Sequence, residues 1–230
     1  MTEPLMIGTR GWNHASGGDF YPPELPDDWR FCYYSNNLRS VLVPQETWDS
    51  AQRADVAQWL EDSDPEFRFV LELPATLGLP LTQGKREQAL AQCLETLEPI
   101  APRTAGLLLR IEPDTEVLPD WFEHLLNHLA GVAPLCVDLP EGPWRAPTVQ
   151  AVLDRQGAGL AWHCAREAVP HPGGRLMIAL APPAPAREVR HWIEQLAQWQ
   201  EHDSFAGLFF DAVAAKAAQE ARLIAELMGV

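Results

Sequence analysis

Short, continuous apolar runs alternate with amphipathic stretches along the whole chain. The apolar runs fall at 5–11, 40–45, 67–73, 105–111, 134–139, 160–164, 176–181 and 206–211. Most are apolar at consecutive positions, as in Leu107-Leu108-Leu109 and Leu208-Phe209-Phe210, which is how a strand buried on both faces reads. Helical periodicity occupies 29–34, 48–60, 86–97, 119–129, 148–155, 186–199 and 214–228. The segment 165–175 carries Pro170, Pro172, Gly173 and Gly174 and is expected to be loop, so the helix after the sixth strand is missing.

Regular strand-helix alternation predicts parallel strands joined by right-handed crossovers, and eight such units are the number that closes a barrel. The expected fold is therefore α/β, a single (β/α)8 TIM-like barrel without its sixth helix. An open doubly wound sheet is the second choice, but the Gly-rich turn G-x-G-x-x-G of that fold does not follow the first strand. At 230 residues and 47% hydrophobic content, with no linker-like tract, residues 1–230 are expected to form one domain.

Arg10 interrupts a recognisable opening: Gly8-Thr9-Arg10-Gly11-Trp12 ends the first strand and Asp19-Phe20-Tyr21-Pro22-Pro23 follows. These segments resemble the YecE-like proteins, domain of unknown function 72, in which the first strand ends in Gly-Thr-Ser-Gly-Trp and the loop reads Phe-Tyr-Pro. Trp29-Arg30 with Tyr33-Tyr34, Phe67-Arg68-Phe69 followed by Pro74, Ala101-Pro102-Arg103, Phe209-Phe210-Asp211 and Ala221 extend the resemblance over most of the chain. It implies the same barrel fold and leaves the activity open. It also implies losses. Arg10 stands where the family has serine, Leu42 and Pro44 replace an acid and an asparagine, and Glu72 replaces a lysine. Asp138-Leu139-Pro140 keeps the acid of a Glu-x-Arg but not the arginine, and 177–180 lacks an Arg-x-His-Gly. The implied protein is a shortened, diverged member whose family site residues are largely lost, as in a pseudoenzyme.

Barrel enzymes place reactive groups at the C-terminal ends of their strands. Here those positions hold Arg10, His14, Gln45, Glu72, Arg110, Glu112, Asp138, His163 and Asp211, a set suited to a polar small ligand. Arg10, Trp12, His14, Arg110 and Asp211 are the ligand-binding candidates, and Asp138, Glu72 and His163 the catalytic ones. A hydrolase or lyase would use Asp138 and Glu72. Against this, Glu72 or Asp138 can serve only as partners of Arg10 or Arg110, and Asp211 can cap the last helix. A metal-dependent phosphoesterase would draw on His163, Asp138 and Glu72, but no ligand spacing marks a metal site, and no metal or cofactor is expected. His124 and His128 lie opposite the Phe122, Leu125, Leu129 stripe and read as a solvent face. Trp12, Trp48 and Trp144 follow strand ends, where they either stack on a ligand or anchor loops.

The net charge of −15, from 32 acidic and 17 basic residues, opposes approach to a phosphate backbone, so nucleic acid is not an expected partner. The four cysteines form no C-x-x-C pair and sit in apolar stretches, which suits reduced thiols in the cytoplasm. No leader peptide and no apolar run of membrane-spanning length are read in the sequence.

Overall fold

The computed structural model describes residues 4–13, 20–49, 51, 53–79, 82–170, 173–200 and 204–230. Strands and helices alternate from the start: β1 (Met6–Thr9), α1 (Arg30–Asn37), β2 (Ser40–Val43), α2 (Gln45–Asp49), α3 (Arg53–Asp62), β3 (Arg68–Glu72), α4 (Gln83–Leu97), β4 (Thr104–Arg110), α5 (Pro119–Leu129), β5 (Leu135–Asp138) and α6 (Pro147–Gln156). The remainder is β6 (Gly159–Leu160), β7 (Trp162–His163), β8 (Leu176–Ala181), α7 (Ala186–Trp199), β9 (Phe205–Phe210) and α8 (Ala215–Met228). Every strand pair is parallel. Among the described residues between β7 and β8 there is no helix, as the prolines and glycines there require.

The expected single eight-stranded ladder is replaced by two sheets, β2-β3-β4-β5-β6 and β7-β8-β9-β1. Both divisions have local causes. The sixth apolar run, anticipated as one strand, changes partner at Ala161: Gly159 and Leu160 pair with Cys136 and Val137 on β5, whereas Trp162 and His163 pair with Ala179 and Leu180 on β8. Between β1 and β2 the ladder shrinks to one bridge, Arg10 to Leu42, with the Gly11 amide donating to the Leu42 carbonyl at 2.8 Å. The Tyr34 hydroxyl of α1 occupies the rest of that seam. It accepts from the Thr9 amide at 2.9 Å and donates to the Ser40 carbonyl at 2.9 Å, so a side chain satisfies backbone groups that a ladder would have paired. Gly8 makes room for this, because a Cβ there would lie 2.1 Å from the Ser40 oxygen and 2.9 Å from the Tyr34 hydroxyl.

Two apolar cores follow from the strands' two faces. The outer one packs strands against helices. In α7, Val189, Trp192, Ile193, Leu196 and Trp199 recur at the spacing of one helical face and are all buried, and in α8 the small Ala218 and Ala221 let that helix lie close to the strands. The inner core contains strand-side residues alone: Met6, Leu42, Val70, Ala105, Leu108, Cys136, Ala161, Leu176, Ile178 and Phe209. On β4, Gly106 leaves space for Leu176, whose Cδ2 would lie 2.2 Å from an added Cβ. The register between β3 and β4 slips by one residue between Phe69 and Val70, a bulge that turns both Ala105 and Leu108 to this core.

Candidate functional site

Side chains on one strand face repeat every second residue, and this alternation builds the site. Leu42, Val70, Leu108, Cys136, Ala161, Ile178 and Phe209 belong to the inner core, and two residues beyond each stand Pro44, Glu72, Arg110, Asp138, His163, Leu180 and Asp211. On β1 the step is four, from Met6 to Arg10. A polar layer thus sits on the C-terminal side of the inner core. The five-stranded sheet supplies Pro44, Glu72, Arg110 and Asp138 in order, and the four-stranded sheet supplies His163, Leu180, Asp211 and Arg10.

Five of these groups form one chain of alternating charge. Arg10 donates Nε to Glu72 Oε1 and Nη2 to Oε2, each at 2.7 Å. Arg110 Nη2 lies 3.1 Å from Glu72 Oε1, and its Nε lies 3.7 Å from Asp138 Oδ2. His163 Nε2–H donates to Asp138 Oδ1 at 2.9 Å. At the other end Arg10 Nη2 also donates to Glu46 of α2 at 3.1 Å.

Burial sorts these five groups by sign. The side chains of Glu72 and Asp138 are 4% and 14% exposed, whereas those of Arg10, Arg110 and His163 are 32%, 39% and 31% exposed. The carboxylates lie underneath as counter-charges and the cations face outward. The hydrogen bond to Glu72 keeps the Arg10 guanidinium ionised well beyond its ordinary range, against a smaller opposing effect of burial. The hydrogen bond to Asp138 likewise raises the His163 pKa, outweighing desolvation and the nearby Arg110 charge.

A cavity of about 450 Å³ opens over this layer, lined by Arg10, Arg110, His163, Arg166, Leu180 and Asp211, with Pro182 and Phe209 among its apolar contacts. The sequence-predicted Arg10, Arg110, His163 and Asp211 therefore share one space, backed by Asp138 and Glu72. His14 lies outside the described residues, as does the side chain of Trp48.

Other expectations are corrected. Trp12 is 4% exposed and packs on Phe31 and Trp59, with ring centroids 4.7 and 5.0 Å away, so its side chain anchors the core instead of lining the cavity. Trp144, 1% exposed, donates its indole N–H to the Thr115 carbonyl at 2.8 Å. Asp211 does not cap α8 through its carboxylate: its backbone carbonyl accepts the Ala214 amide, and its side chain makes no capping bond. Glu72 has both oxygens engaged by arginines and does not line the cavity, which removes it as a free base. Among the described residues no three His, Cys, Asp or Glu side chains converge where a metal ion would sit. Arg166 and Leu180 were absent from the expected set. The two-residue step from an inner-core position would have identified Leu180, whereas Arg166 lies in the irregular segment after β7, where no period applies.

Comparison with known proteins accords with the strand order. The protein family of unknown function DUF72 matches residues 6–230. The chain belongs to the DUF72 family. A solved DUF72 protein from Thermotoga maritima superposes with a TM-score of 0.74 at 13% identity, over 99% of this chain and 100% of that one. A DUF72 protein from Enterococcus faecalis does so with 0.73 at 13% identity, over 98% and 96%. A xylose isomerase-like TIM barrel/4-hydroxyphenylpyruvate dioxygenase fusion protein gives 0.51 at 10% identity, over 84% of this chain and 39% of that one. At these identities the likenesses establish a TIM-barrel-like fold and nothing of activity. No curated protein matches the chain significantly. No helix among the described residues is long and apolar enough to cross a membrane.

Proposed function

We propose that this DUF72 protein is a one-domain barrel that binds a small polar ligand with an anionic group at the C-terminal ends of its strands. The closed barrel is supported by the Arg10–Leu42 bridge at one seam, the continuous run through Ala161 at the other, and an inner core drawn from strands of both sheets. The ligand reading rests on one observation: Arg10, Arg110, Arg166 and His163 line the cavity beside a single lining carboxylate, Asp211, while Glu72 and Asp138, which pair with Arg10, Arg110 and His163, lie beneath it. In a chain of net charge −15, that excess of arginines over carboxylates along the cavity wall favours an anion which the surface as a whole repels. The cavity has the size of ordinary small-molecule sites.

Calorimetric titration with phosphate, acetate, glucose and spermidine tests this. Phosphate or acetate should bind, glucose and spermidine should not, and the Arg166→Ala, His163→Gln double variant should bind the anions at least tenfold more weakly. Equal binding of neutral and anionic probes would overturn the reading.

A further inference from the structure

Asp211 interrupts the chain of paired charges. Following the strands from Arg10 through Glu72, Arg110 and Asp138 to His163, each charged group contacts the next. The next two positions are Leu180 on β8 and Asp211 after β9, and Asp211 is followed by Arg10 on the neighbouring β1. Among the described residues the Asp211 carboxylate has neither a capping bond nor an ion pair, although Arg10 and Arg166 line the same cavity. Among the described residues the Arg166 side chain is also without an ion pair. The cavity is therefore walled by the Arg166 guanidinium and the His163 ring, by an unoccupied acceptor at Asp211, and by the apolar Leu180.

Charge balance narrows the class. Counting the carboxylates beneath the cavity, Arg10, Arg110 and Arg166 face Glu46, Glu72, Asp138 and Asp211, and His163 adds a further positive charge when it is protonated. A near-neutral surround suits a ligand of low net charge better than a polyanion, because each surplus ligand charge would enter without a partner.

Resting on the reading above, we infer that the ligand is a monocarboxylate carrying a hydroxyl or ammonium group, its carboxylate held at His163 and Arg166 and its donor group held by Asp211. Hydroxy acids and amino acids share this chemistry. A matched series separates them: 4-hydroxybutyrate, 4-aminobutyrate and butyrate have the same carbon count and differ only in the group at carbon 4.

Binding of each is measured by nuclear magnetic resonance titration of the wild-type chain and of Asp211→Ala. At least one donor-bearing acid should bind the wild type about tenfold more tightly than butyrate, the size of effect expected for one hydrogen bond to a charged group. The hydroxyl arm winning assigns a hydroxy acid, and the ammonium arm winning assigns an amino acid. Asp211→Ala should erase the advantage while leaving butyrate binding within twofold. Arg166→Ala should weaken all three alike. Butyrate binding as tightly as both others, or an advantage that survives in Asp211→Ala, overturns the role of Asp211 and leaves the anion site standing. Binding of none of the three overturns both.

Discussion

Arg10 and Glu72 form a bidentate ion pair across β2, from the end of β1 to the end of β3, with both nitrogen-oxygen distances 2.7 Å. The strand between them presents Pro44 at the same level, so no polar side chain of β2 competes and the guanidinium reaches over it. The polar layer of this chain is built around the contacts of Arg10 and Arg110 with Glu72 and of His163 with Asp138.

Glu72 is buried with two arginines for company, so neutralising it strands two cations near each other. Glu72→Gln should destabilise the fold by roughly 3–5 kcal/mol, the range found when one partner of a buried ion pair is removed. Urea denaturation measures this, and a loss below about 1 kcal/mol would mean that solvent screens the arginines.

The Tyr34 hydroxyl joins Thr9 of β1 to Ser40 of β2 where the ladder is missing. Tyr34→Phe keeps the buried ring and leaves the Thr9 amide and Ser40 carbonyl without that partner. The expected cost is about 1–3 kcal/mol. Hydrogen exchange at the Thr9 amide should accelerate beyond what the global loss explains, and an unchanged local rate would show that the seam is held by other contacts.

His163 has a folded-state pKa raised by its hydrogen bond to Asp138. A raised pKa stabilises the fold fully below the unfolded-state value, about 6.5, and the contribution disappears as pH rises through the folded-state value. The stability difference between wild type and His163→Gln should therefore be larger at pH 5.5 than at pH 8.5. Asp138→Asn should flatten that difference, and a difference that grows with pH would contradict the assigned pair.

Duplex DNA should not bind at physiological salt. The arginines that the fold gathers, Arg10 and Arg110, are matched by Glu46, Glu72 and Asp138, and the chain as a whole carries −15. Release of counterions from several phosphates needs several surplus cations, and among the described residues this cluster offers only Arg166. Fluorescence anisotropy of a labelled duplex at two salt concentrations is the measurement; micromolar affinity with a steep salt slope would refute it.

The α/β alternation was legible in the order of apolar runs, because continuous apolar segments of strand length have few other uses. Each anticipated strand and helix has its counterpart, except that the helix expected at 48–60 is two, α2 and α3, and the strand expected at 160–164 is two, β6 and β7. The strand-end residues were legible for the same reason: a parallel strand that stops at a mouth places its last side chains there. The pairing was not legible. That Arg10 contacts Glu72 depends on β1 lying within reach of β3, a relationship between residues 62 positions apart in the chain. The partner change at Ala161 and the Tyr34 hydroxyl in the β1–β2 seam are likewise invisible in one dimension, because each is a competition among neighbours that only folding brings together. Local sequence determined which segments are strands and helices and which polar groups end them; tertiary structure decided which charges neutralise each other, and hence that the Asp211 carboxylate is left without an ion pair at the cavity among the described residues.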